Sequence, residues 1–239
     1  MKKIFILFIS VLFSLSNAFS QEDGILVFTA TKGFYHESIP AGTKCIMEVC
    51  REAGINVDIT SDASAFAQAN LEKYKAVVFL NTTGDVLNEQ QQEAFTKYIH
   101  SGGGFLGVHA ATDTEYDWPW YNNLVGAYFL SHPEQQQATI QVTDKNHPST
   151  SMLPTEWVRT DEWYNFKDII PDMKVLAYLD ETSYKGGANG EKHPFIWYHN
   201  VGKGRAFYTG VGHRDDNYQE PLVRQHLLGA IKWAAGVEK

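Results

Sequence analysis

Cysteine is nearly absent: among 239 residues there are two, Cys45 and Cys50. Two thiols cannot build a disulfide framework, and on a helix a five-residue separation turns them to different sides, so both are expected as buried small apolar residues. Basic charge is also scarce, with 20 Lys and Arg against 28 Asp and Glu and a formal net charge of −8. The only dense basic cluster, Lys2 and Lys3, sits at the extreme N-terminus. Nucleic-acid binders present a basic face, so no nucleic-acid partner is expected. Internal repeats, linkers and low-complexity segments are lacking. With 44% hydrophobic and 20% charged residues, the composition excludes disorder and collagen-like repeats.

Long apolar runs are missing, with one exception. Residues 4–15 follow the two lysines and give way to small and polar residues around Ala18 and Ser20, which is the order of a secretory signal. The run is shorter than the ~20 residues a relaxed membrane-spanning helix needs. The expectation is a signal peptide over residues 1–20, an exported periplasmic or extracellular domain over residues 21–239, and no stable membrane insertion. An uncleaved N-terminal anchor is the competing reading.

What is there alternates short β-branched or aromatic runs with longer helical patterns. That is the signature of an α/β fold with a doubly wound, mostly parallel sheet. Strands are expected over 25–29, 56–60, 76–80 and 105–108, and helices over 39–53, 63–74 and from the Asn88 cap to His100. Further strands are expected over 138–143, 157–159 and 174–179. A late hairpin pairs 195–199 with 205–209, and a closing helix covers 221–235. The stretch after His109 is loop-rich and crowded with aromatics, as insertions that line sites often are.

In open α/β sheets, ligands bind at the carboxyl ends of strands. His36, His109 and His213 each fall just after an expected strand, and Asn81, Asp113 and Arg214 lie at the same edge. Gly107-Val-His-Ala-Ala111 has the form of a nucleophile elbow, a sharp strand-to-helix turn with small neighbours, but it presents His. Imidazole suits proton transfer or metal ligation better than acyl transfer. The three histidines are therefore candidates for an acid/base cluster or a divalent metal site, for example for Zn²⁺. Glu162 is the candidate base or fourth ligand, and His132 a further contact. Trp118, Trp120, Tyr121, Trp163 and Trp197 are candidates for stacking on the C–H face of a sugar, core packing being the alternative use of such rings. Gly202-Lys-Gly-Arg205 lacks the spacing and following helix of a phosphate loop and reads as a hairpin turn.

Five segments carry a family resemblance: Lys32-Gly-Phe-Tyr-His36, Gly102-Gly-Gly-Phe-Leu-Gly-Val-His109, Asp161-Glu-Trp-Tyr164, Pro194-Phe-Ile-Trp197 and Gly202-Lys-Gly-Arg-Ala-Phe-Tyr-Thr-Gly-Val-Gly-His213. In combination they resemble the ThuA-like (trehalose-utilisation) family, whose fold is similar to that of class I glutamine amidotransferases. The resemblance places His109 where an amidotransferase Cys would stand and His213 near its triad His, which removes a glutaminase inference. It implies a role in sugar utilisation, beside enzymes that work on 3-keto sugars, and a small sugar-derived ligand. Three functions follow as expectations. One is a hydrolase or isomerase using His109 and His213 as acid and base, directly or through a metal. The others are a sugar-binding protein without catalysis and a module that docks onto a partner enzyme; homo-oligomerisation is compatible with each.

Overall fold

Alternating burial of apolar runs from both sides sets the architecture. The computed structural model describes residues 24–237, and the secretory signal expected over residues 1–20 lies outside the described residues. Among the described residues no helix is long and apolar enough to cross a membrane. The chain runs β1 (Gly24–Phe28), α1 (Ile39–Glu52), β2 (Val57–Thr60), α2 (Gln68–Leu71), β3 (Tyr74–Leu80), α3 (Glu89–His100), β4 (Gly104–Val108), α4 (Pro119–Val125) and β5 (Tyr128–Ser131). It continues with β6 (Gln136–Val142), β7 (Glu156–Asp161), β8 (Asn165–Lys167), β9 (Lys174–Asp180), β10 (His193–Val201), β11 (Gly204–Thr209) and α5 (Pro221–Ala235).

The main sheet has the order β2-β1-β3-β4-β11-β10-β9-β6-β7. The first five strands are parallel, in the flavodoxin-like order with a topological switch between β1 and β3. Successive residues of these strands feed opposite faces. Ile25, Val27, Val78 and Leu80 pack with Ile46 and Val49 of α1 and Leu227 and Ile231 of α5. Leu26, Phe28, Val77 and Phe79 pack with Phe95 and Ile99 of α3 and Leu124 of α4. Cys45 and Cys50 are free and buried in the first of these layers. The remaining pairings, from β11 through β10, β9 and β6 to β7, are antiparallel. A flat sheet would hold the ends of β11 and β7 roughly 19 Å apart, four strand spacings of about 4.8 Å. Asp161 at the end of β7 nevertheless accepts a hydrogen bond from the Gly212 N–H at 3.2 Å, so the antiparallel half curls back over the carboxyl edge.

Two local expectations change. Residues 63–74 do not form one helix: a 3₁₀ turn (Ala63–Ala65) and the four-residue α2 are followed directly by β3. Tyr74 belongs to the strand, paired with Gly24 and hydrogen-bonded through its hydroxyl to Asp58. The aromatic stretch after His109 is also more ordered than a loop, with a 3₁₀ turn (His109–Asp113), α4 ended by Gly126, and β5 paired to β8.

Close approach fixes Gly104. A Cβ there would lie 2.1 Å from the Ala234 carbonyl oxygen, which cannot retreat without moving α5. Gly104→Ala is expected to cost about 3 kcal/mol, seen as a lower urea midpoint at unchanged m-value. A loss below about 1 kcal/mol would mean that α5 shifts freely.

Candidate active site at the carboxyl edge

Register brings the site loops together. Leu80 pairs with Val108 and Val108 with Thr209, so Asn81, His109 and Gly210 leave the sheet side by side. His109 has φ +46°, a left-handed conformation that costs a non-glycine residue roughly 1–2 kcal/mol. This is the expected elbow. Gly107 makes room for it, since a Cβ there would meet the Ala111 Cβ at 3.1 Å and Tyr208 at 3.2 Å. The Tyr208 hydroxyl donates to the His109 carbonyl at 2.8 Å. His109 Nδ1 lies 3.2 Å from the Gly210 carbonyl oxygen; that bond assigns the proton to Nδ1 and leaves the Nε2 lone pair facing inward.

Glu162 directly follows β7 and reaches the same point. Its Oε2 lies 3.3 Å from His109 Nε2 and 3.0 Å from His213 Nδ1, and its Oε1 lies 3.2 Å from His132 Nδ1. The His36 ring sits 5.0 Å from that of His109 and 5.2 Å from that of His213. One ligand atom each from His36, His109, Glu162 and His213 falls within 4.8 Å of the others. Despite this proximity, His36 Nδ1, His109 Nε2 and His213 Nδ1 are buried without hydrogen-bond partners. Buried polar atoms are rarely left so, and His109 Nε2 and His213 Nδ1 beside one carboxylate, with His36 in the same cluster, form a donor set for a cation.

The electrostatics agree. Burial, reinforced by the neighbouring His109 and His213, pushes His36 down to about 2 and keeps it neutral. Burial alone would raise the Glu162 carboxyl, but His109 and His213 outweigh it and hold that group well below the usual carboxylate range. A neutral imidazole and an ionised carboxylate are the forms that bind a divalent ion. Asp161 braces the assembly: fully buried, it accepts from the backbone N–H groups of Glu162 and Gly212 and from the Asn217 side chain. It thereby ties the Glu162 loop to the His213 loop.

The structure thus gathers His36, His109, His132, Glu162 and His213, and it reassigns other expected contacts. Asn81 is fully buried, and its amide donates to Ser38 Oγ at 2.9 Å and the Gly212 carbonyl at 3.1 Å; it clamps loops together instead of facing a ligand. Asp113 accepts the Tyr116 hydroxyl at 2.7 Å and stands apart from the four-residue cluster. Arg214 is ion-paired with Asp216 at 2.7 Å and reaches the cluster only through Gln135, whose amide nitrogen lies 2.8 Å from His213 Nε2. Tyr121, Trp163 and Trp197 are fully buried and hydrogen-bonded to backbone carbonyls of Ala111, Gln136 and Val125, so none can stack on a sugar. Trp118 and Trp120 stack on each other at 4.8 Å, with Trp120 against Phe95 and His100, and pack on the α3 side. The rings beside the cluster are Tyr164, 4.2 Å from His109, and Phe34, 4.9 Å from His36. Both lie inside segments that carried the family resemblance, which was the available signal for them.

Together these features define a flavodoxin-like α/β protein with a histidine at the elbow and an imidazole–carboxylate cluster above it. The chain belongs to the ThuA family, described as trehalose utilisation, whose model matches residues 24–234. It is similar in structure to a ThuA-like protein of Bacteroides uniformis, with 25% identity, TM-score 0.75, and 90% of this chain and 91% of that one covered. A ThuA-like protein of Parabacteroides merdae, at 22% identity and TM-score 0.72 with 89% of both chains covered, shares the fold. So does a β-galactosidase from Bacillus circulans, at 14% identity and TM-score 0.59, with 91% of this chain matching 32% of that one. No curated protein matches the sequence.

Proposed function

We propose that His36, His109, Glu162 and His213 hold a divalent first-row metal ion and that the protein is an enzyme of carbohydrate utilisation. Its reaction in this reading is proton transfer beside a carbonyl of a sugar derivative, or hydrolysis of a keto-glycoside. The observation that carries it is that ligand atoms of His36, His109, Glu162 and His213 lie within 4.8 Å of one another, with His109 Nε2 and His213 Nδ1 buried beside the carboxylate without hydrogen-bond partners. A bound ion supplies Lewis-acid polarisation of a substrate oxygen. With the inward lone pair of His109 committed to that ion, His109 does not serve as the free acid or base; His213, whose Nε2 accepts from the Gln135 amide, would join it once that amide turns and the ring proton moves to Nε2. His132, exposed at the mouth and 3.2 Å from Glu162 Oε1, takes the place of the proton-transferring imidazole. Tyr164, lying over His109, closes one side against water. The basic, apolar and small order of residues 1–20 supports placing this chemistry in the periplasm or outside the cell.

The test is proton–deuterium exchange followed by NMR. Incubated in D₂O with a 3-keto-glucoside, the metal-loaded protein should wash out the C–H signals next to the ketone or release the aglycone. Glu162→Gln should slow this at least about 100-fold. If the sugar binds and neither change occurs at any rate above buffer, the protein is a sugar-binding protein without catalysis.

A further inference from the structure

We infer that Phe34 is the platform on which the substrate's pyranose ring lies; this rests on the sugar-directed reading above and adds the residue that would select a ring-shaped substrate. Phe34 is 64% exposed, yet its backbone is not free. Thr83 Oγ1 donates to the Phe34 carbonyl at 2.9 Å and accepts from the Gly33 N–H at 3.2 Å, while the Lys32 N–H donates to the Thr83 carbonyl at 2.8 Å. Three bonds to Thr83, in the loop after β3, thus hold a large apolar ring out in water, nearly perpendicular to the His36 ring at 83°. An exposed aromatic on a pinned loop, touching a member of the catalytic cluster, is preorganised for a flat apolar ligand face.

The rest of the mouth has the opposite polarity. His132 is 44% exposed at its side chain, and the Gln135 amide and Arg214 guanidinium stand beside His213. A pyranose presents one face of C–H groups and a rim of hydroxyls, so an aromatic surface on one side of the cluster, against His36, and amide, guanidinium and imidazole groups beside Glu162 and His213 match that ligand class. The neighbouring exposed ring, Tyr35, lines a separate crevice with Thr29, Lys32 and Ser61. It provides a matched control.

Saturation-transfer NMR and calorimetric titration with trehalose, methyl α-glucopyranoside and its 3-keto derivative test the inference. At least one of these should receive saturation chiefly on the C–H protons of one ring face. Phe34→Ala should raise its Kd at least tenfold, Phe34→Trp should stay within about threefold, and Tyr35→Ala within twofold. Metal content should be the same in all four proteins. Equal affinity in Phe34→Ala and wild type, or no transfer from wild type to any of the three sugars, overturns the inference. So does a change in oligomeric state on Phe34→Ala and Tyr35→Ala alike, which would make the pair a protein-docking patch. Phe34-dependent binding in a wild-type protein that holds no metal would instead overturn the metal reading and leave the platform standing.

Discussion

His109→Ala is expected to abolish stoichiometric metal binding. Wild-type protein loaded with Zn²⁺ and dialysed should retain about one ion per chain by elemental analysis, whereas His109→Ala, and equally His213→Ala, should retain less than a tenth of that. Loss of a hydrogen-bond partner behind a ligand typically costs 10–100-fold in affinity, and deletion of the ligand itself should exceed that range. The effect extends to stability, because an ion that binds only the folded chain adds RT ln(1 + [L]/Kd), about 4 kcal/mol at a free concentration a thousand times Kd. Chelation should therefore lower the wild-type Tm by several degrees and leave His109→Ala unmoved. A wild-type protein that emerges from metal loading empty, with a melt indifferent to chelator, would remove the ion and return His109 and His213 to metal-free acid/base chemistry. His109→Gly would bind no better than the alanine variant, yet should be the more stable of the two, because glycine tolerates φ +46° without the steric cost.

Acidification below about pH 6.5 should destabilise the fold through its buried imidazoles. His147 and His226 lie outside the candidate site, and burial pushes each down to about 4; burial also lowers His193 and His199. His226 is fully buried between the Ser149 carbonyl and Thr209 Oγ1. For a histidine whose folded pKa is depressed, the unfolded chain takes up the proton first. Full stability therefore holds above about pH 6.5 and is lost as pH falls toward 4. His147 and His226 together should remove on the order of 3–6 kcal/mol across that window. Burial raises Glu115 and Asp161, and these carboxyls act in the opposite sense, softening the fall at its acid end. Urea denaturation at pH 7, 5.5 and 4.5 reads the effect. A change in unfolding free energy below about 1 kcal/mol over this range would mean that the buried imidazoles accept protons in place, against their packing.

The parallel half of the fold was legible because β1, β3 and β4 are apolar on both faces and their helices carry ordinary caps and breaks. Topology pointed to the carboxyl edge, where His109 directly follows its strand, whereas His36 and His213 lie eight and four residues beyond theirs and were grouped with it through the family resemblance as well. Other features were hidden for physical reasons. A helix pattern over 63–74 is interrupted at Phe66-Ala67 and ends at Leu71, and Tyr74 joins a strand whose pairing depends on β1, a partner far away in sequence. Asn81 and Tyr121 have the residue types of ligand contacts, and only their complete burial distinguishes a loop clamp and a core ring from site residues. The curl that delivers Glu162 leaves no periodic trace in sequence; only the resemblance pointed to its segment. Phe34 and Gln135 gain their importance from neighbours, His36 and His213, that lie outside any local window.

The curl of the antiparallel half has a consequence for how the candidate site is assembled. Its four convergent groups lie on loops after β1, β4, β7 and β11, so the cluster closes chain separations that span most of the described sequence. No hairpin or βα unit contains even two of these loops in finished form, and contacts of such long range form late, after the entropy of the intervening chain has been lost. The outermost strand, β7, lies at the far edge of the sheet from the elbow but supplies the only carboxylate of the cluster. Ion binding at this point would act as a latch across the two halves, and occupancy would report completion of the whole fold, leaving partly folded chains without the chemistry.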